Sequence, residues 1–231
     1  MPRDVGVVLV AGGEGRRVGG ELPKQFRPVG GVPMLLRALR PFVSHPEVLR
    51  TVVVLPERWA ADPPEWLTGL TGGGLRIVAG GAERMDSAER GIEALPAKCA
   101  VVLVHDAARP FVSPDTVDGV IAAARLGGGA IAAAPLGDTL KECDDAAAPL
   151  VRRTIPRAGL WRAQTPQGFP RALLERAYAA ARRDGVIGTD ESLLVERIGG
   201  TVRVVPDAAS NLKITTPEDF DLAEALARMS P

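Results

Sequence analysis

The chain has 231 residues, 46% of them hydrophobic and 24% charged, with 28 basic side chains against 28 acidic ones. That length supports one large domain with a full core and does not require two. The balanced charge argues against a general nucleic-acid or membrane-surface binder, which would carry a basic excess.

Aromatic residues make up only 4%, so base recognition by stacking platforms is poorly supported. Cys99 and Cys143 have neither metal-ligand nor redox spacing and read as reduced thiols of a cytoplasmic protein. No cationic, long apolar leader opens the sequence, and no apolar run approaches the ~18 residues of a membrane span.

Residues 5–10 form an apolar run that reads as a buried strand. It empties into AGGEGRRVGGELPKQFRP, residues 11–28, where Gly12, Gly13 and Gly15 let the backbone turn and aim N–H groups at a ligand. Arg16, Arg17 and Lys24 follow with little acid to neutralise them, a combination suited to a polyphosphate or, more plainly, to a basic surface loop. Neither a P-loop nor a Rossmann fingerprint is present, because Gly19, Gly20 and Pro23 stop any helix before Lys24. The loop must fold back and bring Lys24 towards the glycines.

Helical spacing follows over 33–43, with Pro33 at the first helical position, and a β-branched strand over 48–55. A short helix at 63–70, a strand at 75–78, a helix at 83–95 and a strand at 100–104 come next. Ser113, Pro114 and Asp115 start a helix that runs to about 126, and 130–134 is strand-like. Residues 138–141 and 150–155, joined by a polar, alanine-rich 144–149, make a projecting hairpin. Helices at 170–183 and 190–198, a strand at 201–205 and a helix at 217–229 complete the chain, with no internal repeat and no domain linker. The alternation predicts an α/β fold: a mostly parallel sheet covered by helices on both faces, with ligands beyond the carboxyl ends of its strands. The hairpin, an arm at about 136–158, cannot bury its apolar face alone and is expected to pack against a second copy.

Four clusters besides the glycine loop fall on predicted loops. Gly80 to Ser87 is either a ligand loop or simply a helix start. In His105-Asp106-Ala107-Ala108-Arg109-Pro110, Asp106 could hold Mg²⁺ together with substrate phosphates, or pair with Arg109 to shape the loop; His105 reads as a packed strand-end residue. Residues 157–167 are punctuated by Pro and Gly and decide little by spacing alone. The last cluster joins 189–192 to 210–215, where Lys213 lies in an apolar, hydroxyl-rich stretch that favours a phosphate or carboxylate partner over a simply solvated side chain, the alternative reading.

Taken together, AGGxGxR, PKQF, GGxxRxxS, HDAARP, DTxK, QTPQxF, TDE and NxKITxPED resemble the 2-C-methyl-D-erythritol 4-phosphate cytidylyltransferase family over nearly the whole chain. The pentitol-phosphate cytidylyltransferases share PKQF and QTPQ, while Ala108 and residues 157–161 are more similar to the methylerythritol enzymes. A non-catalytic nucleotide-binding protein on the same fold is a rival of another class, and the joint presence of Arg17, Lys24, Asp106 and Lys213 speaks against it.

The resemblance implies a Rossmann-like three-layer αβα sandwich acting as a single nucleotidyltransferase domain, with the arm making a homodimer. It implies a CTP site at Ala11, Gly12, Gly13, Gly15, Gly81, Ser87, Asp106 and Ala107, and charge stabilisation by Arg17, Lys24 and Lys213. The sugar-alcohol phosphate would be held by Asp106, Arg109, Thr139, Thr189 and Lys213, and by Arg157 and Thr165 reaching across from the partner's arm. Mg²⁺ would bridge phosphate oxygens with Asp106 as the protein's contribution. Glu14, between the glycines, and Ala88, where a valine is expected, depart from the family pattern.

Overall fold

The computed structural model describes residues 2–13, 22–72, 74–147 and 149–229. Strands β1 (Val5–Val10), β4 (Val48–Leu55), β5 (Leu75–Ala79), β6 (Val101–Asp106), β7 (Gly129–Pro135), β10 (Trp161–Pro170) and β11 (Val202–Pro206) form one seven-stranded sheet in the order β11-β7-β10-β6-β1-β4-β5. Every neighbouring pair is parallel except those of β10, which runs antiparallel to β6 and β7. Two small hairpins lie outside it, β2 (Pro28–Val29) with β3 (Val32–Pro33), and β8 (Leu140–Cys143) with β9 (Val151–Ile155).

The alternation of side chains along β1 sets the layers. Val5 and Val7 point into a core shared with Val117, Val120 and Ile121 of α5 (Pro114–Ala124), and Leu9 into one shared with Leu35 and Leu39 of α1 (Met34–Val43). Val8 points the other way, towards α4 (Arg84–Glu93), α6 (Arg171–Arg183) and α7 (Glu191–Arg197), where it meets Ala88, Ile92, Leu174 and Val195. Burying each large aliphatic or aromatic side chain of this kind contributes about 1.5–3 kcal/mol. The protein is thus an α/β three-layer sandwich of the Rossmann-like type, with a mostly parallel sheet. Gly91 lets α4 lie close on the sheet: a Cβ there would stand 2.3 Å from Val8 Cγ1. The helix N-terminus is thereby held at the carboxyl edge of the strands.

Local signals set the helix starts. The Ser113 hydroxyl accepts from Thr116 N–H and Pro114 opens α5, while Glu83 and Asp86 form a reciprocal capping box on α4. The remaining helices are α2 (Glu57–Ala61), α3 (Glu65–Thr68) and α8 (Pro217–Met229), the last packing Phe220 and Ala223 against Val29 and Met34. The helix expected over 63–70 is present only as α3, with α2 preceding it.

The larger correction concerns residues 157–167, expected as a loop. From Trp161 onwards they belong to β10, in the middle of the sheet. Gln164, Thr165 and Gln167 are buried there through hydrogen bonds rather than apolar packing, so no hydrophobic run marks the strand. The arm forms as expected, as β8 and β9, and carries Leu150 and Val151 exposed at 74% and 61%.

Candidate active site

The carboxyl ends of β1, β4, β5 and β6 open into a cleft of about 900 Å³. Its walls bring together Ala11, Gly12, Gly13, Lys24, Gly81, Ser87, Asp106, Ala107 and Lys213, residues scattered over the whole sequence. Gly15, Arg17 and the departure at Glu14 lie outside the described residues.

The first loop folds back as its composition predicts. Buried Gln25 donates from Nε2 to Ala11 O at 3.0 Å, tying the exit of the loop to its start. Lys24, in a single 3-10 turn over Lys24–Phe26, sends Nζ to Ile214 O at 2.6 Å. On the opposite wall, Ser87 Oγ accepts from Gly81 N–H at 3.1 Å, and a Cβ on Gly81 would come within 2.3 Å of Asp86 Cβ. Only glycine permits that approach of backbone to the helix start.

The floor is the end of β6. The Asp106 backbone N–H donates to Thr165 Oγ1 at 3.0 Å, and the Thr165 hydroxyl donates to His105 Nδ1 at 2.9 Å. The other ring nitrogen of His105, Nε2, faces Arg109 O at 3.0 Å, so it carries the proton. His105 is fully buried and burial pushes its pKa down to about 4, which keeps it a neutral structural residue.

The Asp106 carboxylate takes a cation on each oxygen: Arg84 Nε at 3.2 Å on Oδ1 and Lys213 Nζ at 2.7 Å on Oδ2. Burial alone would raise its pKa, and the charges of Arg84 and Lys213 more than reverse that, holding it well below the usual carboxylate range. Lys213 therefore has the carboxylate partner its surroundings favoured. Arg109 makes no ion pair with Asp106 among the described residues; its Nη1 donates to Asn211 O at 2.7 Å and its Nη2 to Ala163 O at 3.4 Å.

These contacts gather the motif residues at one sheet edge, and comparison with other proteins identifies the set. Residues 5–229 match the model of the family described as 2-C-methyl-D-erythritol 4-phosphate cytidylyltransferase. The chain belongs to that family. The enzyme of that name from Salinibacter ruber is 43% identical over 95% of this chain and 91% of its own, and that from Carboxydothermus hydrogenoformans 40% over 96% and 94%. Among solved structures, the 2-C-methyl-D-erythritol 4-phosphate cytidylyltransferase of Thermus thermophilus aligns with a TM-score of 0.79 at 39% identity, covering 96% of this chain and 98% of its own. A 4-diphosphocytidyl-2C-methyl-D-erythritol synthase from Anaerococcus prevotii aligns with a TM-score of 0.83 at 30% identity, covering 97% and 98%.

Within this member of the cytidylyltransferase family, not every expected residue reaches the cleft. Thr165 is not on the arm: it is 4% exposed in β10, with its hydroxyl engaged by His105 and Asp106 of its own chain. The expectation that it reaches across from a partner is overturned, because β10 lies inside the sheet. Thr139 and Arg157 flank the arm and are exposed, Arg157 donating to Gly137 O, and neither lines the cleft of its own chain. Thr189 is exposed just before Asp190, whose side chain caps α7 by accepting from Leu193 N–H at 3.0 Å.

Two residues without a role in the sequence account stand beside this floor, a cation in the wall and the buried acid that holds it. Arg84 lines the cleft and forks onto buried Glu191 through Nη1–Oε1 at 2.9 Å and Nη2–Oε2 at 3.0 Å. An acid at the first position of a helix is ordinary, so nothing in the sequence marks Glu191 as buried.

Proposed function

We infer that the chain is a cytidylyltransferase that transfers CMP from CTP to 2-C-methyl-D-erythritol 4-phosphate, releasing pyrophosphate and forming 4-diphosphocytidyl-2-C-methyl-D-erythritol, an isoprenoid precursor. The observation that carries this is the family match across residues 5–229, with motif residues from the glycine loops to Lys213 lining one cleft. Backbone groups of the two glycine loops, at Ala11 to Gly13 and at Gly81, would receive the nucleotide, with Ser87 and Ala107 beside them. That accounts for nucleotide recognition with so few aromatic residues.

The reaction is an in-line displacement in which an oxygen of the sugar phosphate attacks the α-phosphorus of CTP and pyrophosphate leaves. A phosphate monoester is already ionised near neutral pH, so no general base is required, and buried, neutral His105 is not needed as one. Positioning and charge stabilisation carry the rate. Lys24 and Arg17 are assigned to the charge that develops on the triphosphate. Asp106, Arg109, Thr189 and Lys213 are assigned to the sugar phosphate, Lys213 by exchanging its Asp106 partner for a phosphate oxygen.

Among the described residues no three His, Cys, Asp or Glu gather into a metal site. A Mg²⁺ ion brought in on the triphosphate would have Asp106 as the chain's own ligand, at Oδ2 as Lys213 leaves it for a phosphate oxygen. Bound there, it would neutralise phosphate charge.

A single nucleotidyltransferase domain paired through the arm into a homodimer fits the exposed Leu140, Leu150 and Val151 on an otherwise isolated hairpin. A partner's arm would then supply Thr139 and Arg157. No helix among the described residues is long and apolar enough to cross a membrane; the proposed location is the cytoplasm.

The test is a panel of sugar and pentitol phosphates, ribitol 5-phosphate included, incubated with CTP while pyrophosphate release is followed. Methylerythritol phosphate is expected to be turned over best. Preferential turnover of a pentitol phosphate would replace the substrate assignment, and release with none of them would defeat it.

A further inference from the structure

Glu191 is 1% exposed and the Arg84 side chain 25%, so their fork is a largely buried ion pair. A buried ion pair is on average no more stabilising than well-packed apolar residues of the same volume. What such a pair does supply is fixed geometry. Glu191 Oε1 also accepts from the Tyr178 hydroxyl at 3.0 Å, so both of its oxygens are occupied and its orientation is set by α4 and α6 together. Burial and the Glu191 charge push the Tyr178 phenol well above its ordinary range, so it remains a donor.

Held this way, Arg84 turns its Nε–H onto Asp106 Oδ1 at 3.2 Å, while one N–H on each Nη lies outside the fork. Arg84 opens α4, directly after the glycine loop assigned to the nucleotide, and Asp106 ends β6. The chain Tyr178, Glu191, Arg84, Asp106, Lys213 therefore connects the nucleotide wall to the sugar-phosphate wall.

We propose that Arg84, locked by Glu191, is a positioning residue that occupies Asp106 Oδ1 and so leaves Oδ2 to Lys213 in the free enzyme and to a hydroxyl donor of the sugar phosphate once Lys213 turns to the phosphate. This rests on the functional reading given above. Burial disfavours the charge on Arg84, while Glu191 and Asp106 favour it strongly enough to raise its pKa, so its charge is constant across the working range. The effect of a substitution is then geometric rather than a change of protonation.

The test uses the full chain with Glu191→Gln, which keeps volume but loses the bidentate acceptor, and Arg84→Lys, which keeps charge but loses the fork. Both are expected to raise the KM for methylerythritol phosphate about tenfold, the scale of one lost charge-assisted bond, with the KM for CTP changed less than about twofold. An unchanged sugar-phosphate KM in Arg84→Lys overturns the proposal even if Glu191→Gln fails to fold. A rise confined to the KM for CTP also overturns it, since Arg84 would then serve the nucleotide directly. Crystal structures of the variants separate this claim from the activity itself. The Asp106 carboxylate is expected to rotate away from the orientation that puts Oδ1 on Arg84 and Oδ2 on Lys213, and a carboxylate that keeps that orientation refutes the positioning role whatever the wild type turns over.

Discussion

Thr165→Val removes one hydroxyl and nearly preserves shape, and it strikes the joint between the sheet and the floor of the cleft. The hydroxyl accepts the Asp106 N–H at 3.0 Å and donates to His105 Nδ1 at 2.9 Å, and neither group has access to water in the folded protein. Valine leaves both without a partner. Each buried orphan costs about 1–3 kcal/mol, so the loss should total roughly 2–6 kcal/mol. At about 2–4 °C per kcal/mol for a chain of this size, the thermal midpoint should fall by roughly 4–24 °C. Thr165→Ser keeps the hydroxyl and loses a methyl, costing about 1 kcal/mol. Circular dichroism melts at pH 7 on the three proteins read this directly. If valine lies within about 0.5 kcal/mol of wild type, or serine is as damaging as valine, the hydroxyl does not join Asp106 to His105 as described.

Stability should also fall on acidification from about pH 6.5, where an exposed histidine titrates, to about pH 4, the value to which burial depresses His105. In that window the unfolded chain binds a proton that the folded chain does not, and the cumulative loss is roughly 3 kcal/mol; urea midpoints that stay level across it contradict a buried neutral His105. Lys24→Ala should cut kcat by about 10²–10³ while CTP binds almost normally, as expected for a charge used in the transition state; near-normal turnover removes Lys24 from the mechanism. Arg157→Ala should raise the KM for the sugar phosphate and leave that for CTP alone, and equal KM values for both substrates before and after the change would remove the arm from the site.

Much of the fold was legible because its signals are local. The run VGVVLV reads as a buried strand wherever it sits, and Ser113 with Pro114 announces the start of α5 without any tertiary information. The site was legible for a different reason: glycine loops and cations such as Lys24 and Lys213 suit a surface loop as well as a ligand, and it is the resemblance of the motifs around them to one enzyme family that gathered them into a site. What stayed hidden depends on long-range pairing. β10 is stabilised at Gln164, Thr165 and Gln167 by partners between 23 and 60 residues away, so its sequence carries no strand pattern. Glu191 looks like any acid at a helix start until Arg84, 107 residues earlier, is seen forked upon it. Gln25 likewise gains meaning only from Ala11 O.

The central claim is chemical, that this cleft joins the phosphate of methylerythritol phosphate to the α-phosphorus of CTP. Phosphorus NMR of the complete reaction mixture tests it most directly. The account predicts a pair of coupled signals from a new diphosphate diester, appearing in equal amount to free pyrophosphate and absent when the sugar phosphate is omitted. Intact CTP, or CTP hydrolysed to CMP without a new diester, would contradict it.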